Sequence, residues 1–197
     1  MRSLKELYLE VLNQSLPANP DTILDNFEYR ISNAKGFRPS YDGRSNVITL
    51  DASITSHISL TALIYALFDA LDLPLNFFRI SDEQLQSICE QAQKYSDHSS
   101  NEVGNTIKFL LFGNLEKEFN KSKKSFGNDW KYLKLNNLVD FRAFHIKHLI
   151  KELIIPIFST GDKRLINTID QAGIPLMQLA SKCNKKLSQI KQQAFTK

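Results

Sequence analysis

Cysteine, glycine and complete catalytic motifs are scarce in this sequence of 197 residues. The two cysteines, Cys89 and Cys183, form no CxxC pair, which excludes a disulfide framework and fits a reducing compartment. The seven glycines form no phosphate-binding loop, and the chain has no GxSxG nucleophile motif. We therefore expect a cytoplasmic protein, and these absences favour a non-catalytic role without deciding whether the protein is an enzyme.

Long apolar runs are also missing. A membrane-spanning helix needs about 20 consecutive apolar residues. The longest candidate, residues 60–71, is interrupted by Asp69 and followed at once by Asp72. Near the N-terminus, Glu6 and Glu10 break the apolar stretch. The sequence therefore predicts neither a transmembrane segment nor a signal peptide.

Positive charge is abundant, but it is unevenly distributed. Residues 1–98 contain 8 Lys/Arg and 13 Asp/Glu, whereas residues 99–197 contain 17 and 8. One interpretation is that the second half faces an acidic protein, nucleic acid or an anionic membrane surface. The other is that the two halves compensate each other's field within the molecule.

The apolar patterning predicts an α+β fold that is predominantly helical. Asp42-Gly43 supplies turn geometry inside a β-hairpin at about 37–51. A helix at about 60–71, capped by Ser59, is apolar nearly all round and should lie beside the hairpin in the core. An all-α body with one hairpin is the alternative.

Helices are predicted for the remainder of the chain, starting where capping residues precede apolar periodicity. Ser81 to Gln84 form a capping box, and residues 120–128 are expected to be a polar connector. We expect a body at 1–158 and a small basic helical module at 159–197. The predicted helices are 3–16, 21–33, 81–95, 101–119, 137–158 with a break at Pro156, 162–171, 175–182 and 187–194.

The hairpin strand and core helix resemble the strand and HExxH helix of zincin metallopeptidases. On that resemblance Tyr65 stands at the first His, Ala66 at the Glu and Asp69 at the second His. Glu102 stands at the downstream third-ligand position. Two of the three functional groups are replaced, so the resemblance implies a catalytically dead relative or, alternatively, a zincin-derived metallohydrolase.

A second candidate metal site lies on the predicted helix 137–158. His145, His148 and Glu152 are three and four residues apart and share one helix face. Such a face holds Zn²⁺ or iron if Asp69, Glu102 or His98 adds a ligand. The alternatives are a solvated seam or a polar interface with a neighbouring helix. We expect no cofactor, with zinc as the alternative.

Residues 174–191 resemble a helix-turn-helix. Ala180 is small where the helices must approach, and Asn184 tolerates the left-handed conformation of the turn. Lys185 and Gln193, however, stand where the motif usually has apolar residues. The alternatives are a helical cap with a solvated basic face or a helix pair that binds a protein. The candidate residues for binding nucleic acid or an acidic partner are Lys182, Lys185, Lys186, Gln189 and Lys191.

Residues 117–134 interleave lysines with aromatic residues. This pattern is typical of segments that track a single nucleic-acid strand or lie at a membrane surface. The alternative is an exposed loop that its aromatic residues anchor to the core. The candidate binding residues are Lys121, Lys123, Lys124, Trp130 and Lys131.

These patterns together predict a non-catalytic interaction module. Its basic second half would bind an acidic partner or nucleic acid, because the free positive charge lies there. The alternative function is the one implied by the zincin resemblance, a metallohydrolase or a pseudoenzyme.

Overall fold

The structure is a computed structural model that describes residues 3, 16–94, 100–160 and 163–196. It does not describe the side chains of residues 100–104, 107, 159 and 160. The helix predicted over residues 3–16 lies, apart from its two end residues, outside the described part of the chain.

The described residues confirm a predominantly helical α+β fold with a small sheet. The helices are α1 Pro20–Asn26, α2 His57–Leu71, α3 Asp82–Gln93, α4 Ser100–Phe112, α5 Leu115–Phe126, α6 Trp130–Leu133, α7 Leu138–His148, α8 Arg164–Gln171 and α9 Leu176–Phe195. The strands are β1 Glu28–Ser32, β2 Ser40–Asp42 and β3 Val47–Asp51. Short 3₁₀ segments are Leu75–Phe78, Gly127–Asp129 and Ile155–Thr160, and Leu149–Ile154 is π-helical.

The chain forms two compact units. Unit 1 comprises residues 1–73, 158–161 and 175–197, and unit 2 comprises residues 74–157 and 162–174. This division differs from the predicted boundary at residue 158. The reason is that α9 packs against α1 and α2 within the sheet-bearing unit and does not form a module of its own.

The sheet of unit 1 has the order β1-β3-β2. The predicted hairpin is confirmed, because β2 pairs antiparallel with β3. The predicted helix 21–33 is wrong beyond Asn26. There the chain turns into β1, which pairs parallel with β3 and aligns Tyr29 with Ile48. Pairing with a strand that lies about twenty residues ahead overrides the local helical periodicity.

The core helix α2 is buried, as predicted. It begins at His57, because the Ser56 hydroxyl accepts a hydrogen bond from the Ser59 N–H at 3.1 Å. Ser59 was the predicted cap, but it lies inside the first turn and is itself buried. Leu63 and Leu67 are fully buried, and the helix packs against β2, β3 and α9.

The predicted turn at Asn184 is wrong, because α9 runs without interruption from Leu176 to Phe195. No glycine or proline falls within these residues. The buried residues follow one stripe at spacings of three and four, which a single helix produces and a helix-turn-helix does not. They are Leu176, Leu179, Ala180, Cys183 and Leu187.

The secondary-structure elements of unit 2 are all helical within the described residues. The predicted capping box at the start of α3 is confirmed, with Ser81 and Gln84 bonding each other's backbone N–H groups. The predicted connector 120–128 is wrong, because most of it belongs to α5. The Asn114 side chain caps α5 by accepting from the Lys117 N–H at 3.0 Å, and Gly127 ends the helix with φ 53°.

The predicted long helix 137–158 is α-helical only as far as His148. Its cap, Asn137, accepts a hydrogen bond from the Asp140 N–H at 2.9 Å. The chain then becomes π-helical and finally 3₁₀ around Pro156, which has no N–H to donate. Within the described residues, no helix is both long and apolar enough to cross a membrane.

The packing of α2 predicts a large effect of truncation at Leu67. We expect Leu67→Ala to lower the free energy of unfolding by about 2–5 kcal/mol, because it leaves a cavity in the core. Ile58→Ala is the matched control on the same helix, where the side chain is 46% exposed, and should cost less than about 1 kcal/mol. Urea denaturation followed by circular dichroism measures both, and equal losses would contradict the buried position of Leu67.

The continuity of α9 predicts the order of two substitutions at Asn184. In a helix interior, Asn184→Ala should be more stable than Asn184→Gly by about 1 kcal/mol, because glycine has the poorer helix propensity. A left-handed turn would reverse that order, since only glycine adopts it without strain. Thermal denaturation of the two variants decides between one helix and two.

Candidate functional site

The predicted basic residues fall in two separate places. One group lies on α9 in unit 1, and the other lies on α5 and α6 in unit 2. The chemistry of each group depends on whether neighbouring carboxylates compensate its charges.

On α9, two lysines are engaged in ion pairs within unit 1. The Nζ atom of Lys182 lies 2.9 Å from Asp21 Oδ2, and that of Lys186 lies 2.8 Å from Asp25 Oδ1. Both aspartates are on α1. The two lysines are four residues apart on α9 and the two aspartates are four residues apart on α1, so the ion pairs lie about one helical turn apart on each helix. These two pairs join basic residues of the second half of the sequence to acidic residues of the first half, as in the interpretation that the two halves compensate each other's charge.

Tyr29 supports this arrangement from β1. Its hydroxyl donates a hydrogen bond to the Leu24 carbonyl at 2.6 Å, and the Lys186 Nζ lies 5.5 Å from the centre of its ring. Burial raises the pKa of Tyr29, and the nearby Cys183 and Asp25 raise it further. The phenol therefore stays protonated and keeps its hydrogen bond, while Lys186 is held between a carboxylate and a ring.

The other predicted residues of α9 are exposed. Lys185 and Gln189 border a cavity of about 140 Å³ that the paired residues also line. Lys191 lies further along the helix beside the exposed ring of Phe195. Lys185 and Lys191 make no ion pair with described residues, but they are two isolated charges on a helix whose other predicted lysines are neutralised.

On α5, by contrast, the lysines form an uncompensated row. Lys117, Lys121 and Lys124 are four and three residues apart, so they lie on one face of the helix. All three are exposed, and none forms an ion pair with a residue that the structure describes. We call these three residues the lysine row. Lys117 begins the predicted basic segment 117–134, but it is not among the candidate binding residues, because the predicted helix 101–119 separates it from Lys121 and Lys124.

The opposite face of α5 packs on α7. The Phe119 ring meets the rings of Trp130 and Phe141 edge to face, with centres 5.4 Å apart in each case. Trp130 also lies 6.1 Å from Phe126. Trp130 is therefore an anchor between α6 and its neighbours α5 and α7, as in the alternative in which aromatic residues attach this segment to the core. This packing turns the lysine row outward.

Two rings near the end of α5 remain open to solvent. Tyr132 is 71% exposed and Phe126 is 50% exposed. The Nζ atom of Lys131 lies 5.1 Å from the centre of the Tyr132 ring, a cation–π distance. Lys123, Lys131 and Lys134 are exposed and make no ion pair within the described part of the chain.

The predicted metal residues form no three-ligand group with other described residues, and His98 lies outside the described part of the chain. His145 is surrounded by the rings of Phe109, Phe141 and Phe144, with centres 5.4, 4.5 and 5.7 Å away. Glu152 lies in the π-helical stretch, where the rotation per residue differs from the α-helical value that the prediction assumed. Among the described residues, no three His, Cys, Asp or Glu side chains are grouped to hold a metal ion.

The degenerate zincin positions lie on α2. Tyr65 packs its ring against Tyr41 of β2, with centres 6.4 Å apart, and Asp69 is half-buried. Ala66, at the position of the catalytic glutamate, is completely buried. The Glu102 side chain lies outside the described residues. A longer side chain at position 66 would therefore face the packed core.

The ring cluster around His145 predicts how that histidine titrates. Burial lowers the pKa of His145, the charge of His148 lowers it further, and Glu118 opposes both. Because the unfolded value is about 6.5, the unfolded chain binds more protons below that pH, and folding stability falls as the pH drops. The loss should begin near pH 6.5 and level off below the folded pKa.

We expect NMR titration to place the His145 imidazole below its ordinary pKa. His145→Phe keeps the aromatic packing and should remove this part of the pH dependence of the unfolding free energy between pH 7.5 and 5. A folded-state pKa at or above 6.5 would contradict the prediction.

Comparison with known proteins gives no family assignment. The chain matches no protein-family model, no curated protein and no solved structure.

Proposed function

We propose that this protein is a non-catalytic interaction module that binds an anionic macromolecule through the lysine row of α5. The observation that carries the proposal is the contrast between the two basic helices. Lys182 and Lys186 are neutralised by Asp21 and Asp25, whereas the lysine row is exposed without a carboxylate partner among the described residues.

The local charge balance supports this choice. Residues 115–134 contain six lysines and three acidic residues. Two of the acids, Glu116 and Glu118, lie in the first turn of α5, where a carboxylate also favours the helix dipole. Glu118 is half-buried and acts on the titration of His145. The last two turns of α5 therefore present mainly positive charge.

A row of ammonium groups suits an anionic polymer. Lysine is a compact point charge on a flexible stem, so it accommodates phosphate, sulfate or carboxylate groups without a fixed geometry. Binding of this kind gains its free energy largely from counterion release and weakens steeply with added salt. Shape-selective recognition is not required, which fits an open helix face.

Heparin chromatography tests the proposal. We expect the wild-type protein to be retained at low salt and Lys121→Gln/Lys124→Gln to elute at clearly lower salt. The double variant Lys94→Gln/Lys163→Gln is the control, because it makes the same change in net charge at two exposed lysines of unit 2 outside the row. Circular dichroism of each variant checks that the helices are intact.

Two results would contradict the proposal. One is an absence of retention of the wild-type protein at low salt. The other is an equal shift in elution for both double variants, since that would reflect net charge and not a defined surface.

A further inference from the structure

We infer that the anionic macromolecule is a single-stranded nucleic acid, with phosphates on the lysine row and a base stacked on Tyr132. This inference rests on the proposed function and names its ligand. It is carried by the exposed rings next to the uncompensated lysines, because charge alone attracts any polyanion and rings add a second kind of contact.

Tyr132 is the ring best placed for stacking. It is 71% exposed even with the Lys131 ammonium 5.1 Å from its centre, so most of its area is available. It lies on α6, which follows α5 after the three residues Gly127–Asp129. The anchor Trp130 packs against Phe119 and Phe126 of α5 and thereby holds α6 at the end of the lysine-bearing helix.

Phe126 provides a second, smaller exposed ring. It is half exposed, and its ring centre lies 6.1 Å from that of Trp130. Every base has a flat face, so a pair of exposed rings binds unstacked bases with little dependence on sequence. In a duplex those faces are already covered by neighbouring bases, and the rings would add nothing to the attraction of the phosphates.

A membrane surface fits these observations less well. Insertion of an amphipathic helix needs its apolar face, and that face of α5 is covered by α7 through the contact of Phe119 with Phe141. An acidic protein also fits less well, because the buried centre of protein interfaces is depleted in lysine. The combination of a lysine row with exposed rings is the one that single-strand binders use.

Fluorescence anisotropy with labelled oligonucleotides of about 15 nucleotides tests the inference, a length near the upper site size of single-strand modules. The probes are oligodeoxythymidine and a mixed-sequence DNA duplex of equal length, each at low salt. We expect the single strand to bind more tightly. Tyr132→Ala should weaken single-strand binding by about tenfold and leave duplex binding unchanged.

Two variants serve as controls. Tyr132→Phe keeps the ring and should retain single-strand affinity, which separates stacking from loss of the hydroxyl. Phe195→Ala removes a 77% exposed ring in unit 1, away from the lysine row in the chain, and should change nothing. Circular dichroism of Tyr132→Ala checks the fold, which should persist because the side chain is exposed.

The outcomes separate the inference from the proposed function. If heparin retention depends on Lys121 and Lys124 but Tyr132→Ala leaves single-strand binding intact, the inference is overturned and the proposed function stands. If poly-glutamate or phosphatidylserine vesicles bind and the single strand does not, the ligand is an acidic protein or a membrane, and the inference is overturned. If neither heparin nor oligonucleotide binds at low salt, both fail.

Discussion

The burial of one apolar stripe of α9 against the core of unit 1 decides which positive charges are available. Leu179, Cys183 and Leu187 are fully buried, and their burial fixes the rotation of the helix about its axis. That rotation directs Lys182 and Lys186 to the aspartates of α1. Exposed ion pairs contribute only about 0.2–1 kcal/mol each, so the pairs follow the packing and do not cause it. Their consequence is electrostatic, because a helix that reads as strongly basic in sequence is partly neutralised in the folded protein.

Packing also fixes the rotation of α5 in unit 2, but there it leaves the lysines without carboxylate partners among the described residues. The edge-to-face contact of Phe119 with Phe141 turns the apolar face of α5 inward, and the lysine row faces outward as a consequence. Aromatic contacts of this kind add about 0.5–1.5 kcal/mol beyond the area that they bury, which is comparable with or larger than an exposed ion pair. Hydrophobic and aromatic packing therefore determines which lysines pair with carboxylates and which remain exposed to solvent.

The aromatic residues of unit 2 also divide into two roles. Phe119, Phe141 and His145 form a packed cluster, and burial of the histidine lowers its pKa. The ring-enclosed imidazole therefore contributes to the aromatic packing of unit 2. Tyr132 takes no part in this cluster, and its exposed ring lies beside Lys131. The proposed binding surface consists of the lysine row and the exposed rings, which the packing of unit 2 leaves in contact with solvent.

Features with local signals could be predicted from the amino-acid sequence. The Ser81–Gln84 capping box, the turn at Asp42-Gly43 and the apolar core helix each depend on residues within about one element, so their patterns could be recognised. The surplus of lysine after residue 98 was also visible in the sequence. The folded chain was needed to show that residues 28–32 form a strand and that Lys182 and Lys186 pair with carboxylates 161 residues away. Strand pairing, helix rotation and charge compensation could not be predicted, because they depend on partners that are close in space and remote in the chain.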